Sequence, residues 1–161
     1  MEKALFPQDL DDCRDYGDIF DLVRKAVKIS TGRERGGLML YLGNLPIQVG
    51  AYHGVGGNGI VLNRKMLQSA SFSTITELNS YVFMLLLHEY LHSLGYLNER
   101  QVRQQTYEIS RETFGEEHPV AQYARNPSFP KVYPSDLQPN NKEIELEIIK
   151  DFDRSNQSYI N

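Results

Sequence analysis

The longest apolar stretch of the chain, Tyr81-Val82-Phe83-Met84-Leu85-Leu86-Leu87, has no polar face. That is the pattern of a helix passing through a core, not of one lying on its surface. Thr74-Ile75-Thr76-Glu77 precedes it as a capping box and Gly95 follows as a stop, which predicts a helix over 75–94. A second helical period covers 18–30, with Ile19, Phe20, Leu22, Val23, Ala26, Val27 and Ile29 apolar and Asp18 as the expected cap. Between the two helices, 38–42 and 46–53 read as strands separated by a turn at Gly43-Asn44. The glycine-rich run from Gly54 to Gly59, with its Asn-Gly pair, is a hairpin signal, and 60–63 reads as the returning strand. A short helix is expected over 64–69, and another over 99–114 beyond Gly95. This order predicts an α+β domain: a small mixed or antiparallel sheet packed on a central helix and on the helix that follows it.

The pattern changes after Pro119. Pro127, Pro130, Pro134 and Pro139 mark an irregular stretch over 126–141. Residues 142–148 then alternate at period two, yet Ile144, Ile148, Ile149 and Phe152 would equally suit one face of a helix, so strand and helix both stay open. The chain therefore divides into a domain over 1–125 and an acidic, Pro/Asn-rich extension over 126–161, whose end from Ser155 reads as disordered. A solvated tail is the expectation for it, and a segment folding over a cleft or docking a partner is the alternative.

A chain of 161 residues accommodates one core. Its net charge of −4 argues against a nucleic-acid partner held by charge. One cysteine rules out an intrachain disulfide and suits a reducing compartment. The first twelve residues include Glu2, Asp9, Asp11 and Asp12 and no apolar run, so no secretory signal is expected. Seven apolar residues fall far short of the ~20 that span a bilayer. The expectation is a cytoplasmic protein without a membrane partner.

The chemistry sits where the apolar helix ends, at His88-Glu89-Tyr90-Leu91-His92. Residues four apart share a helix face, so His88 and His92 can aim two imidazoles at one divalent ion, the usual arrangement for zinc. Glu89 lies about 100° around the helix, where its carboxylate reaches a metal-bound water as a general base and does not ligate the ion. Extended to Asn98, the residues fit H-E-x-x-H-x-x-G-x-x-N. This run of about a dozen residues resembles the zincin metallopeptidases, with metzincin-like and minimal gluzincin-like features. The resemblance implies a zinc peptidase acting on a peptide or protein substrate, with an edge strand beside the cleft that takes up extended peptide. Where metzincins place His or Asp, this chain has Asn98, and no methionine-turn signature follows.

Four residues compete for the third ligand. Asn98 reads as an N-cap with Gln101 at N3. Glu99 is a carboxylate in the first turn of the next helix, and glutamate-ligand zincins draw their third ligand from such a helix. Glu108 lies two and a half turns further on, and His118 about 20 Å beyond the turn if the helix runs straight. Glu99 is taken as the ligand and His118 as the alternative. Tyr52 and His53, just before the glycine loop, are candidate donors to an oxyanion, and Cys13 is a candidate for occupying the open zinc position in a latent state.

Two other function classes remain. His88, Leu91, His92, Gly95 and Tyr96 also resemble the H-x-x-x-H-x-x-G-Y-x-H signature of bacterial rRNA-processing endonucleases, which have no Glu after the first His and have His where Asn98 stands. A non-catalytic, zincin-derived binding module is the third reading.

Overall fold

A computed structural model describes residues 8–46, 49–54, 56–69, 72–126 and 146–154. A 3₁₀ turn, Asp9–Asp12, puts Leu10 in the core and leads into helix α1, Tyr16–Thr31. The cap of α1 is Asp15, which accepts the Asp18 N–H at 2.8 Å. Asp18, the expected cap, lies inside the first turn and takes the Arg154 guanidinium instead, at 2.8 Å. Gly32 closes the helix with φ 74°, a conformation only glycine adopts without strain.

Strands β1 (Met39–Gly43), β2 (Ala51–His53), β3 (Gly59–Asn63) and β4 (Glu147–Ile149) form one mixed sheet of order β2-β3-β1-β4. β1 and β3 are parallel, while β2 pairs antiparallel with β3 and β4 antiparallel with β1. The strand expected from residue 46 is shorter than its pattern suggested. The buried Asn63 side chain explains part of this: its amide donates to the carbonyls of Leu45, Pro46 and Val49 at 3.3, 3.3 and 2.8 Å. The Val49 N–H bonds Pro46 O at 2.9 Å, so the chain turns before it can extend. β2 is thereby confined to the sheet edge beside the glycine loop, with β3 returning along it as expected.

Helix α2 (Arg64–Ser69) leads toward α3, Ile75–Ser93, which buries all of Tyr81 to Leu87 together with Tyr90 and Leu91. The Thr74 side chain accepts the Glu77 N–H at 3.2 Å, and the Glu77 carboxylate accepts from Ser73 N at 2.7 Å, one residue earlier than an ideal capping box. α3 is wrapped by α1, by the sheet, by α4 (Glu99–Phe114) and by a short helix α5 (Pro119–Arg125) that the pattern did not predict. Edge-to-face ring contacts lock these layers: Phe20 on Tyr90 at 5.3 Å, Phe83 on Phe114 at 4.9 Å, Tyr81 on Tyr123 at 5.7 Å.

Part of the C-terminal extension returns to this core, contrary to the expectation of a solvated tail. β4 adds to β1, so the ambiguous period resolves as a strand over 147–149. Phe152 is 2% exposed and stacks on Phe20 at 4.2 Å. Asp153 accepts the Leu38 N–H at 3.0 Å, and Arg154 is ringed by Asp15, Asp18 and Asp21. The readings made for 127–145 and 155–161 lie outside the described residues. Among the described residues, no helix is long and apolar enough to cross a membrane.

Candidate metal centre

The last turns of α3 present His88, Glu89 and His92, and the turn that follows decides what meets them. Gly95 has φ 103°, and a Cβ there would touch nothing, so glycine is required by backbone conformation and not by space. The reversal returns Gly95 N to His92 O at 3.0 Å and Tyr96 N to Leu91 O at 3.3 Å. Asn98 then caps α4, accepting the Gln101 N–H at 3.0 Å, which occupies the residue standing at the metzincin ligand position. Capping α4 at this point makes Glu99 its first residue and turns that side chain back toward α3.

The result is a three-residue group. His88 Nε2 lies 2.8 Å from Glu99 Oε1, and His92 Nε2 lies 2.9 Å from Glu99 Oε2. The two rings are 4.9 Å apart at 66°, and the ligand atoms all lie within 4.8 Å of one another. Among the described residues this is the group of His, Cys, Asp and Glu that could hold a metal ion.

The donor set passes a chemical test of that role. His92 Nδ1 lies 2.8 Å from the carbonyl oxygen of Tyr96. A carbonyl only accepts, so Nδ1 carries the hydrogen, and the neutral ring turns a lone pair at Nε2 toward Glu99. A lone pair facing a carboxylate oxygen at that distance is repulsive without a cation, whether a proton on the ring or an ion shared by the group. Burial holds His88 below the ordinary imidazole range against the opposing pull of Glu99. Burial works to raise Glu99, but His88 and His92 outweigh it and keep its carboxyl below the usual range. An anion thus faces rings that release protons readily, and a divalent cation satisfies all three.

Glu89 is 8% exposed, and no described residue hydrogen-bonds its carboxylate. Burial pushes it up to about 7; the neighbouring His92 pulls the other way, and Glu99 adds to the rise. It lines the same cleft of about 580 Å³ as the group, together with Tyr52 and His53 of edge strand β2. The His53 Nδ1–H donates to Gly59 O at 3.0 Å. Its Nε2 therefore accepts when the ring is neutral, which leaves the Tyr52 hydroxyl as the better donor of the two.

The other candidates lie elsewhere. Glu108 is exposed and accepts from Gln104 at 3.1 Å. His118, the alternative ligand, caps α5 by accepting the Val120 N–H at 3.2 Å and stacks on Phe114 at 4.7 Å. Cys13 is packed against the core, its thiol pushed up to about 12 by burial and then by surrounding aspartates, outside the group.

Arg33 and Arg35 were not visible as site residues. Arg33 donates to Leu94 O at 2.7 Å and lies 5.0 Å over the Tyr96 ring. Arg35 donates to Ser93 O at 2.8 Å and to Gly57 O at 2.9 Å. Two cations thus close the negative end of α3 and hold the turn whose Tyr96 carbonyl sets the tautomer of His92. Nothing local in Thr31-Gly32-Arg33-Glu34-Arg35 signals this, because the partners are some sixty residues away, as the separations of 61 and 58 show. No protein-family model, curated protein or solved structure matches this chain.

Proposed function

We propose that the chain is a zinc-dependent peptidase whose substrate is a peptide or protein. The observation that supports this most is the convergence of both imidazole Nε2 atoms on the two oxygens of Glu99, beside a buried, unbonded Glu89 that opens to a cleft. A zinc ion held by His88, His92 and Glu99 supplies, when bound, the Lewis acidity that brings a ligated water toward neutral pKa. Glu89 takes the proton of that water as its oxygen adds to the scissile carbonyl, and returns the proton to the departing amine. A carboxyl raised to about 7 is matched to both halves of that task. Tyr52 of β2 offers its hydroxyl to the carbonyl oxygen. The single free thiol, Cys13, suits a cytoplasmic setting.

The endonuclease reading draws no comparable support: its last imidazole position is Asn98, a helix cap, and it leaves Glu89 without a task. The test is Glu89→Gln, measured for metal content and for hydrolysis of a mixed peptide pool. Metal content should hold while hydrolysis falls by roughly 10²–10⁴-fold, the usual share of a general base. Undiminished hydrolysis by that variant would refute the peptidase assignment.

A further inference from the structure

The cleft at the metal centre continues along α3 past Leu85 and Met84 to Tyr81, with Arg103 of α4 and Ala124 and Arg125 of α5 on the wall opposite β2. From His88 back to Tyr81 is about 10 Å along the helix axis. That is the reach of about three residues of extended peptide. Over this length the floor is apolar and the acidic lining residues are Glu89 and Glu99, both already part of the centre. Outside the centre the charge on the lining is Arg103 and Arg125, in a chain whose net charge is −4.

Arg125 is held in place by the protein itself. Its Nη2 donates to the Tyr107 hydroxyl at 3.0 Å and to Glu116 at 3.3 Å, and its guanidinium lies 5.3 Å over the Tyr107 ring. Both contacts use one of its nitrogens, while a guanidinium has five N–H donors in a fork that suits a carboxylate. The Glu116 pair is exposed on both sides, 55% and 61%, and such pairs exchange readily for another acid.

We propose that the cleft selects peptides bearing a carboxylate about three residues from the scissile bond, with Arg125 as its partner and an intervening apolar side chain seated on Met84 and Leu85. The proposal rests on the peptidase reading. Two arginines are too few to follow a nucleic-acid backbone, whose affinity grows with each phosphate neutralised.

The experiment uses zinc-loaded Glu89→Gln protein, which holds substrate without turning it over. Fluorescein-labelled, C-terminally amidated peptides with a central Leu carry one Glu, Gln or Lys at each other position, and binding is read by anisotropy beside a measurement of zinc occupancy. At one position Glu should bind roughly three- to tenfold tighter than Gln, with Lys weakest. Arg125→Gln should level that preference, and Arg125→Glu should turn it toward Lys, a reversal that a misfolded variant does not produce. Peptides ending in a free carboxylate at the same position show whether a side chain or a chain terminus is the better source. Equal binding of Glu and Gln peptides by zinc-loaded protein overturns the selectivity alone. Failure to take up zinc overturns the peptidase reading as well, and a single-stranded RNA octamer that outbinds every peptide transfers the cleft to a nucleic acid.

Discussion

Glu99→Gln separates a metal ligand from a helix-terminal acid. In the structure each carboxylate oxygen serves a different imidazole, at 2.8 and 2.9 Å, so the amide removes the charge and places an N–H₂ against one ring nitrogen. Zinc held by four protein ligands contributes about 10–16 kcal/mol, or about 3 kcal/mol for each ligand, so loss of Glu99 should weaken zinc roughly a hundredfold. The metal-free protein should scarcely notice. Glu99 is 54% exposed, so its pairs with the rings are of the solvent-screened kind, and with its place in the first turn of α4 they contribute at most about 1 kcal/mol. For a domain of this size that is a shift of about 2–4 °C in melting temperature. Competition with a chromogenic chelator gives the affinity, and thermal melts in EDTA give the stability. Glu99→Asp sharpens the test: it keeps the charge at the helix terminus but shortens the reach by a methylene, so it should lose zinc like the Gln variant. Zinc binding unchanged in Glu99→Gln, or equally weakened by Glu108→Gln, would refute the assignment.

Phe152→Ala should destabilise the protein by about 3 kcal/mol in urea unfolding, the usual cost of emptying a buried ring site; a change below about 1 kcal/mol would mean the C-terminal segment is not packed on Phe20. Gly95→Ala places a side chain at φ 103° and should cost about 1–2 kcal/mol by the same assay while weakening zinc, since the turn carries Tyr96 O; wild-type affinity would detach the turn from the metal centre. Asp18 is held below the ordinary carboxylate range first by its hydrogen bond from Arg154 and then by the Arg14 N–H. A depressed folded-state value gives stability that is complete above the unfolded Asp value of about 3.9 and is lost as pH falls through the folded value. Arg154→Gln should therefore flatten the acid limb of a stability–pH curve below about pH 4, and an unchanged slope there would rule the pairing out as its source.

Several features of the site were legible in the chain because they are local. The two imidazoles share a face through four-residue spacing, and the apolar run with Thr74 and Gly95 bounds their helix within a residue of its observed ends. Glu99 was within reach because a tight turn at Gly95 and a cap at Asn98 leave little freedom over seven residues. His118 drops out for a reason no spacing reveals: it begins α5, a helix of seven residues with little periodicity of its own.

Amphipathic period, capping and short turns thus determined the helices, the ligand pair and the third ligand, since each depends on backbone geometry within one or two turns. Only the tertiary structure decided that β1 pairs parallel with β3, that Asn63 curtails β2, that 146–154 closes the sheet and core, and that Arg33 and Arg35 grip the end of α3. It also decided the character of Glu89, because a carboxyl is raised by what surrounds it and not by its neighbours in sequence. Those outcomes depend on contacts between distant segments, where chain entropy, burial and unsatisfied carbonyls are settled together and no short stretch of residues contains the answer.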